Sequence, residues 1–271
     1  MIDILFIFPP ISVTERYGSR NVGKIGGLQP PLGIASLAAY MREKGYDVGL
    51  IDAVAQNYNI EDILDYIREN KPAVVGISSL TATFNRAIYC AEVIKKEFPT
   101  ILIIIGGHHV TVLTEQVIRD NNCFDLCVYG EGELTLYDIL REYKDKEYKY
   151  HEFIKDTDSL SNIKGIAFRN SKSVIVTEKR ELINDLDQLP LPLREFFDIS
   201  NYQPLPNQYK RLPLLHLVVS RGCPYTCSYC SATGVFGRRL RARSPEKVVE
   251  EIEILIDKYG AKDISFWDDA F

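Results

Sequence analysis

The chain has 271 residues, 46% of them hydrophobic and 25% charged, with a formal net charge of -5 and a pI near 5.5. That length supports one large or two ordinary domains with their own cores, and the acidic balance argues against a nucleic-acid footprint built on bulk basicity. No run approaches the ~18 uninterrupted apolar residues of a transmembrane helix, and Asp3 stands where a secretory leader carries lysines, so a cytoplasmic chain with reduced thiols is expected, with neither membrane nor nucleic acid as partner.

Residues 2–8, apolar apart from Asp3, end at Pro9-Pro10 and read as a buried strand. A glycine-rich loop through Tyr17, Gly18, Gly23, Gly26 and Gly27 follows, and Pro30-Pro31-Leu32-Gly33 opens a helix to about residue 44. Strands at 47–51, 73–77, 101–105 and 125–128 then alternate with helices. Ile60, Ile63, Leu64 and Ile67 mark one helical face, Phe84, Ala87, Ile88, Ala91 and Ile94 another, and further helices cover about 112–119 and the stretch from Tyr129-Gly130-Glu131-Gly132-Glu133 to about 143. Strands that are continuous apolar runs are buried on both faces, which requires a parallel sheet with helices on either side. The first domain is therefore expected to be α/β, a doubly wound parallel sheet. Ligands of such sheets sit beyond the carboxyl ends of the strands, where the loops at Ser78-Ser79-Leu80-Thr81, Gly106-Gly107-His108-His109 and 129–133 fall.

Two β-like runs, 163–169 and 174–178, read as a hairpin that extends this domain or bridges to the next. The segment 186–213 carries Pro190, Pro192, Pro204, Pro206 and Pro213 with little periodicity, as expected of a linker running over a surface. A strand over 214–220 resumes the pattern. Ser244-Pro245-Glu246 then starts a helix as N-cap, first-turn proline and first-turn acid, with Val248, Val249, Ile252, Leu255, Ile256 and Tyr259 along its buried face, and 264–267 is the next strand. The expected division is 1–145, 146–213 and 214–271.

Three of the six cysteines, Cys223, Cys227 and Cys230, lie in one short loop with CxxxCxxC spacing. Three thiolates can hold three irons of a four-iron cluster and leave the fourth iron open to another ligand. A zinc site is the structural alternative, but zinc takes four ligands and only His216 lies close by in sequence. Cys90, Cys123 and Cys127 have no such clustering and read as core thiols. Asp52 at a strand end invites a dinucleotide-ribose reading, but the first turn lacks GxGxxG.

The cysteine spacing, with Tyr229 before the last cysteine, resembles the signature of radical S-adenosylmethionine (SAM) enzymes. Arg241-x-Arg243-Ser244-Pro245-Glu246 and Phe266-x-Asp268-Asp269-x-Phe271 are similar to the cobalamin-binding branch of that superfamily. Pro30-Pro31-Leu32-Gly33, Gly106-Gly107-x-His109-x-Thr111 and Gly130-Glu131-Gly132-Glu133 resemble that branch's N-terminal domain. The resemblance spans nearly the whole chain. It implies a flavodoxin-like cobalamin-binding domain followed by the first units of a (β/α) radical SAM barrel. Cys223, Cys227 and Cys230 would ligate a 4Fe-4S cluster whose open iron chelates SAM. One electron from an external donor would then cleave the carbon–sulfur bond to give a deoxyadenosyl radical.

By the same resemblance Tyr229 lies along the adenine, and Asp268 or Asp269 hydrogen-bonds the ribose or amino group of SAM. Cobalamin contacts are expected from Ser78, Ser79, Leu80 and Thr81, from Gly106, Gly107 and His109, and from Gly130, Glu131 and Gly132. The loop Pro9-Pro10-Ile11-Ser12-Val13 has no histidine, which implies cobalamin held without a lower histidine ligand. A histidine beside a Gly-Gly turn reads as a polar contact before a cobalt ligand, so His109 is assigned that part. The implied reaction is methyl transfer through methylcobalamin to an unactivated carbon of a small-molecule substrate. Cyclisation or rearrangement, or a non-catalytic cobalamin and SAM binding module, are the alternatives. The stretch 214–271 is far shorter than the roughly 200 residues of a complete barrel, so a fragment incomplete for catalysis is expected.

Overall fold

A computed structural model describes residues 2–11, 15, 27–171 and 173–270. The glycine-rich loop at Tyr17, Gly18, Gly23 and Gly26, together with Ser12, Val13 and Phe271, lies outside the described residues.

Five parallel strands form the centre of a seven-stranded sheet: β1 (Ile4–Phe8), β2 (Val48–Asp52), β3 (Val74–Ser78), β4 (Leu102–Gly106) and β5 (Leu126–Val128). Their order is β2-β1-β3-β4-β5, and the chain reverses direction of growth at β1, next to β3. Alternate residues of each strand enter different cores. Ile4 and Phe6 pack with α1 (Leu32–Glu43) and α6 (Gly132–Asp145), whereas Leu5 and Ile7 join the layer of α2 (Ile60–Asn70), α3 (Phe84–Glu97), α4 (His108–Val112) and α5 (Thr114–Asp120). The continuous apolar runs follow from this double burial. The α2 start is fixed by a capping box, in which Asn59 Oδ1 accepts from Asp62 N at 3.4 Å and Asp62 Oδ2 accepts from Asn59 N at 2.8 Å.

The expected hairpin is present as β6 (Ile166–Asn170) and β7 (Ser173–Val176). It extends the first sheet, β6 pairing antiparallel to β5. Two short helices that the sequence reading did not anticipate, α7 (Tyr150–Lys155) and α8 (Thr157–Asn162), lead into it, and the Asp156 side chain caps α8 by accepting from Ser159 N at 3.0 Å. The proline-rich segment differs from a strap over a surface. Leu186 and Phe197 are buried, Leu193 N donates to Ala35 O at 3.1 Å, and Tyr202 Oη donates to Asp52 Oδ2 at 2.9 Å. Prolines restrict its backbone, but its apolar side chains still reach the core beneath.

A second unit begins at β8 (Leu214–Leu217), which pairs in parallel with β11 (Asp263–Phe266) across α10 (Pro245–Asp257), giving one βαβ unit. Between them β9 (Ser220–Arg221) and β10 (Arg241–Ala242) form an antiparallel ribbon around the cysteine loop and α9 (Ala232–Phe236). Ser244 caps α10 as expected, its Oγ accepting from Lys247 N at 3.3 Å. The expected buried face of α10 needs correction. Leu255 is buried and Val248, Ile252 and Tyr259 pack on its core, but Val249 and Ile256 are about half exposed because neither β8 nor β11 lies beneath that side of the apolar stripe.

Candidate cofactor site

The loops after β3, β4 and β5 meet at the carboxyl edge of the sheet. Gly107 has φ of +105°, and a Cβ there would lie 2.5 Å from Ser79 O, so two backbones pass in contact and only glycine fits. Ser79 N donates to Gly106 O at 2.9 Å and His109 N to Ser79 O at 3.4 Å, while Thr111 Oγ1 joins the loops by donating to Gly107 O (3.0 Å) and accepting from Gly130 N (3.1 Å). Ser79 is fully buried and supports the ledge; Ser78 is half-buried, and Leu80 and Thr81 stand at the surface.

His109 Nδ1 lies 3.1 Å from Thr81 Oγ1, and its ring stacks on Phe84 with centroids 4.1 Å apart. Burial lowers its pKa and keeps the imidazole neutral near pH 7. Gly130, at φ of +77°, faces open space. The exposed apolar groups Leu80, Val112 and Leu113 and these small residues carry no formal charge, which fits a large, partly apolar ligand lying on backbone. Gly132 differs, since a Cβ there would come within 3.1 Å of the Leu37 side chain; this glycine serves helix packing.

The cysteine loop projects from the β9–β10 ribbon. Gly222, at φ of +91°, lies so close to Arg239 O that any side chain would collide with it, and Cys223 N donates to Gly237 O at 3.2 Å. Cys223 is half-buried, Cys227 and Cys230 are exposed, and Tyr229 is 90% exposed. No group of three His, Cys, Asp or Glu side chains is gathered in ligand geometry among the described residues. The donor set nonetheless fits a cluster, with three free thiols on one accessible loop. The other three cysteines are buried as expected, and burial pushes their thiols up, to about 12 for Cys90 and about 11 for Cys123.

His216 is not a fourth ligand. It is 2% exposed, its Nε2–H donates to Pro30 O at 3.2 Å, and its ring stacks on Trp267 at 4.3 Å. Burial first, and the nearby Arg194 guanidinium second, push its pKa down to about 4. This removes the nearest candidate that a closed zinc site would need. Asp268 Oδ1 accepts from Val219 N (3.1 Å) and Ser220 Oγ (2.6 Å), tying the end of β11 to the foot of the loop, while its Oδ2 is buried and unpartnered. A buried carboxylate oxygen without a donor fits a ligand that brings one. Asp269 is exposed.

Glu131, an expected cofactor contact, has both carboxylate oxygens engaged by protein. Arg241 Nη1 donates to Glu131 Oε1 (2.8 Å) and Oε2 (3.0 Å), Arg221 Nη1 donates to Oε1 (3.2 Å), and Ile183 N donates to Oε2 (2.7 Å). Arg221 Nη2 also donates to Glu133 Oε1 at 2.5 Å. Burial works against the Arg221 charge, but Glu133 and Glu131 outweigh it and raise its pKa. A second buried group, Arg194–Glu251–Arg243, holds α10 to the proline-rich segment. The sequence reading missed these pairings; arginines on both flanks of the cysteine loop were the available signal.

The B12 binding domain family matches residues 18–140, and the radical SAM superfamily matches 217–269. The chain is 35% identical over its whole length to an uncharacterised methyltransferase, PH0819, of Pyrococcus horikoshii, and covers 54% of that protein. It is 30% identical over 260 residues, 95% of this chain and 39% of the relative, to the anaerobic magnesium-protoporphyrin IX monomethyl ester cyclase of Cereibacter sphaeroides. Among solved structures, the cobalamin-dependent SAM radical enzyme OxsB superposes with a TM-score of 0.76 at 20% identity, over 99% of this chain and 34% of OxsB. The radical SAM methyltransferase TsrM from Kitasatospora setae gives 0.71 at 16% identity, over 98% of this chain and 47% of TsrM. The chain thus spans about half, or less, of the length of these relatives. With one family on the seven-stranded sheet and the other on the βαβ unit that carries the cysteine loop, the chain belongs to the cobalamin-binding radical SAM family, whose cofactors are cobalamin, SAM and a 4Fe-4S cluster.

Proposed function

We propose that this chain is the cofactor-assembling part of an enzyme that transfers a methyl group to an unactivated carbon of a small molecule. The observation that carries the reading is the juxtaposition of the two cofactor loops. Residues 108–112 pack on α9, immediately after the cysteine loop, with His108 and Phe236 edge-to-face at 5.8 Å. When bound, the cofactors supply radical generation and methyl carriage; the protein supplies orientation and exclusion of water.

Cys223, Cys227 and Cys230 would hold three irons, and Tyr229 would close over the adenine. Asp268, through its unpartnered Oδ2, would accept from the amino or ribose group of SAM, with Asp269 beside it. Ser78, Leu80, Thr81, Gly106, His109 and Gly130 would line the corrin, with Ser79 and Gly107 bracing them. The functional division would run through 145 for the cobalamin unit and from 214 for the SAM unit. Relatives described as methyltransferases support methyl transfer. A second reading, cyclisation, is favoured by the 30% identity to two relatives described as cyclases. The test is anaerobic turnover of the protein with reductant and SAM carrying a labelled methyl group. Label in a carbon-bound methyl of product supports transfer; deoxyadenosine release with unlabelled product supports cyclisation. Cofactor binding without SAM cleavage would reduce the protein to a binding module.

A further inference from the structure

The cobalamin unit and the cysteine loop share a four-charge group that the proposed reaction does not use. β9–β10 pairing sets Arg221 directly opposite Arg241, one at the foot of each leg of the cysteine loop. Both guanidiniums reach the opening of α6, where Glu131 and Glu133 receive them. The side chains of Arg241, Glu131 and Glu133 are 2%, 3% and 5% exposed. Arg241 also donates to Ile183 O (2.6 Å) and Phe236 O (3.0 Å), and the Arg221 guanidinium lies 5.8 Å from the centre of the Phe236 ring.

We propose that Glu131 and Glu133 are positioning residues for the cysteine loop, fixing through Arg221 and Arg241 where Cys223 stands relative to the corrin-facing loops. Buried ion pairs add little net stability over apolar packing, but breaking one member is costly, so a shift that separates these four charges is strongly disfavoured. Here the arrangement is specific on both sides. Glu131 has both oxygens engaged by the loop's two arginines and by Ile183, and Glu133 accepts from Nη2 of Arg221. Gly222 lies against Arg239 between the two arginines, so a shift of either leg moves Cys223. This role rests on the reading that the loop carries the cluster.

The test uses the whole 271-residue chain with Glu131→Gln, Glu133→Gln and the double variant, read first by hydrogen exchange without any cofactor. The expected result is exchange at least about tenfold faster in peptides covering 220–224 and 237–242, with β1 to β4 within about twofold of wild type. After anaerobic loading with iron and sulfide, the double variant should retain less than half the wild-type iron. Its reduced-cluster electron paramagnetic resonance signal should fail to shift on adding SAM, while cobalamin binding stays within about twofold. Glu133→Asp, which keeps the charge, should restore part of the iron retention. Glu133→Gln leaves the Glu131–Arg241 pair in place and carries the test if the double variant does not fold. Unchanged protection at 220–224 overturns the proposal, as does protection lost evenly across the sheet. Loss of cobalamin with loop protection intact also overturns it, since Glu131 would then be a cofactor contact. If wild type takes up no iron, the cluster reading fails, while the exchange experiment still decides whether the clamp fixes the loop.

Discussion

Lowering the pH should loosen the junction between the cobalamin unit and the first strand of the radical SAM unit through His216. This side chain is buried, donates to Pro30 O and stacks on Trp267. Its pKa falls from 6.5 to about 4 on folding, chiefly by desolvation and then by Arg194. A histidine whose folded pKa is depressed favours the native state fully above its unfolded value of 6.5, and the contribution disappears as pH falls toward 4. At ~1.4 kcal/mol per unit, that shift is worth about 3 kcal/mol between pH 7.5 and pH 4. The assay is urea denaturation of wild type and His216→Gln at pH 7.5, 6, 5 and 4. Glutamine still offers an N–H to Pro30 but takes up no proton, so the variant's stability should fall by about 3 kcal/mol less than that of wild type over this range. Parallel pH profiles for the two proteins would mean that His216 takes up its proton equally in the folded and unfolded chain.

Four further outcomes follow from the geometry. Gly107→Ala places a Cβ against Ser79 O at positive φ and should cost roughly 2 kcal/mol or more by urea midpoint; a change within about 0.5 kcal/mol contradicts that placement. Glu251→Ala strands the buried charges of Arg194 and Arg243 and should destabilise by about 3–5 kcal/mol, measured in the same way. Substituting alanine at Cys223, Cys227 or Cys230 should each abolish iron retention on a desalting column. Cys127→Ala should keep it and lose about 1–2 kcal/mol of core packing instead, seen as a lower melting temperature.

The parallel sheet was legible because each central strand is buried twice, so Ile4 to Ile7 had to be apolar at every position. Capping chemistry was equally local, as Ser244-Pro245 showed. What a single sequence does not carry is long-range pairing. Glu131 and Arg241 are 110 residues apart, and nothing in either neighbourhood names the other. The expectation of cofactor contact at Gly130, Glu131 and Gly132 thus carried no hint that Glu131 and Glu133 also hold arginines. The close approach of Gly107 to Ser79 likewise joins two loops that nothing local links. On α10 the apolar stripe was wider than the face that β8 and β11 cover, leaving Val249 and Ile256 exposed. Prolines in 186–213 suggested a surface strap, yet Phe197 and Leu186 carried enough apolar area to be drawn into the fold.

The central claim is that one chain holds cobalamin and an iron–sulfur cluster side by side, on the ledge around Gly107 and on the loop at Cys223. The most direct measurement is anaerobic reconstitution of the chain with iron, sulfide and cob(II)alamin, followed by gel filtration, metal analysis and absorbance on the protein peak. The expected result is about four irons and one cobalamin per chain together, with iron lost in Cys223→Ala while cobalamin stays. Zinc in place of iron, or iron retained with no cobalamin bound, would contradict it.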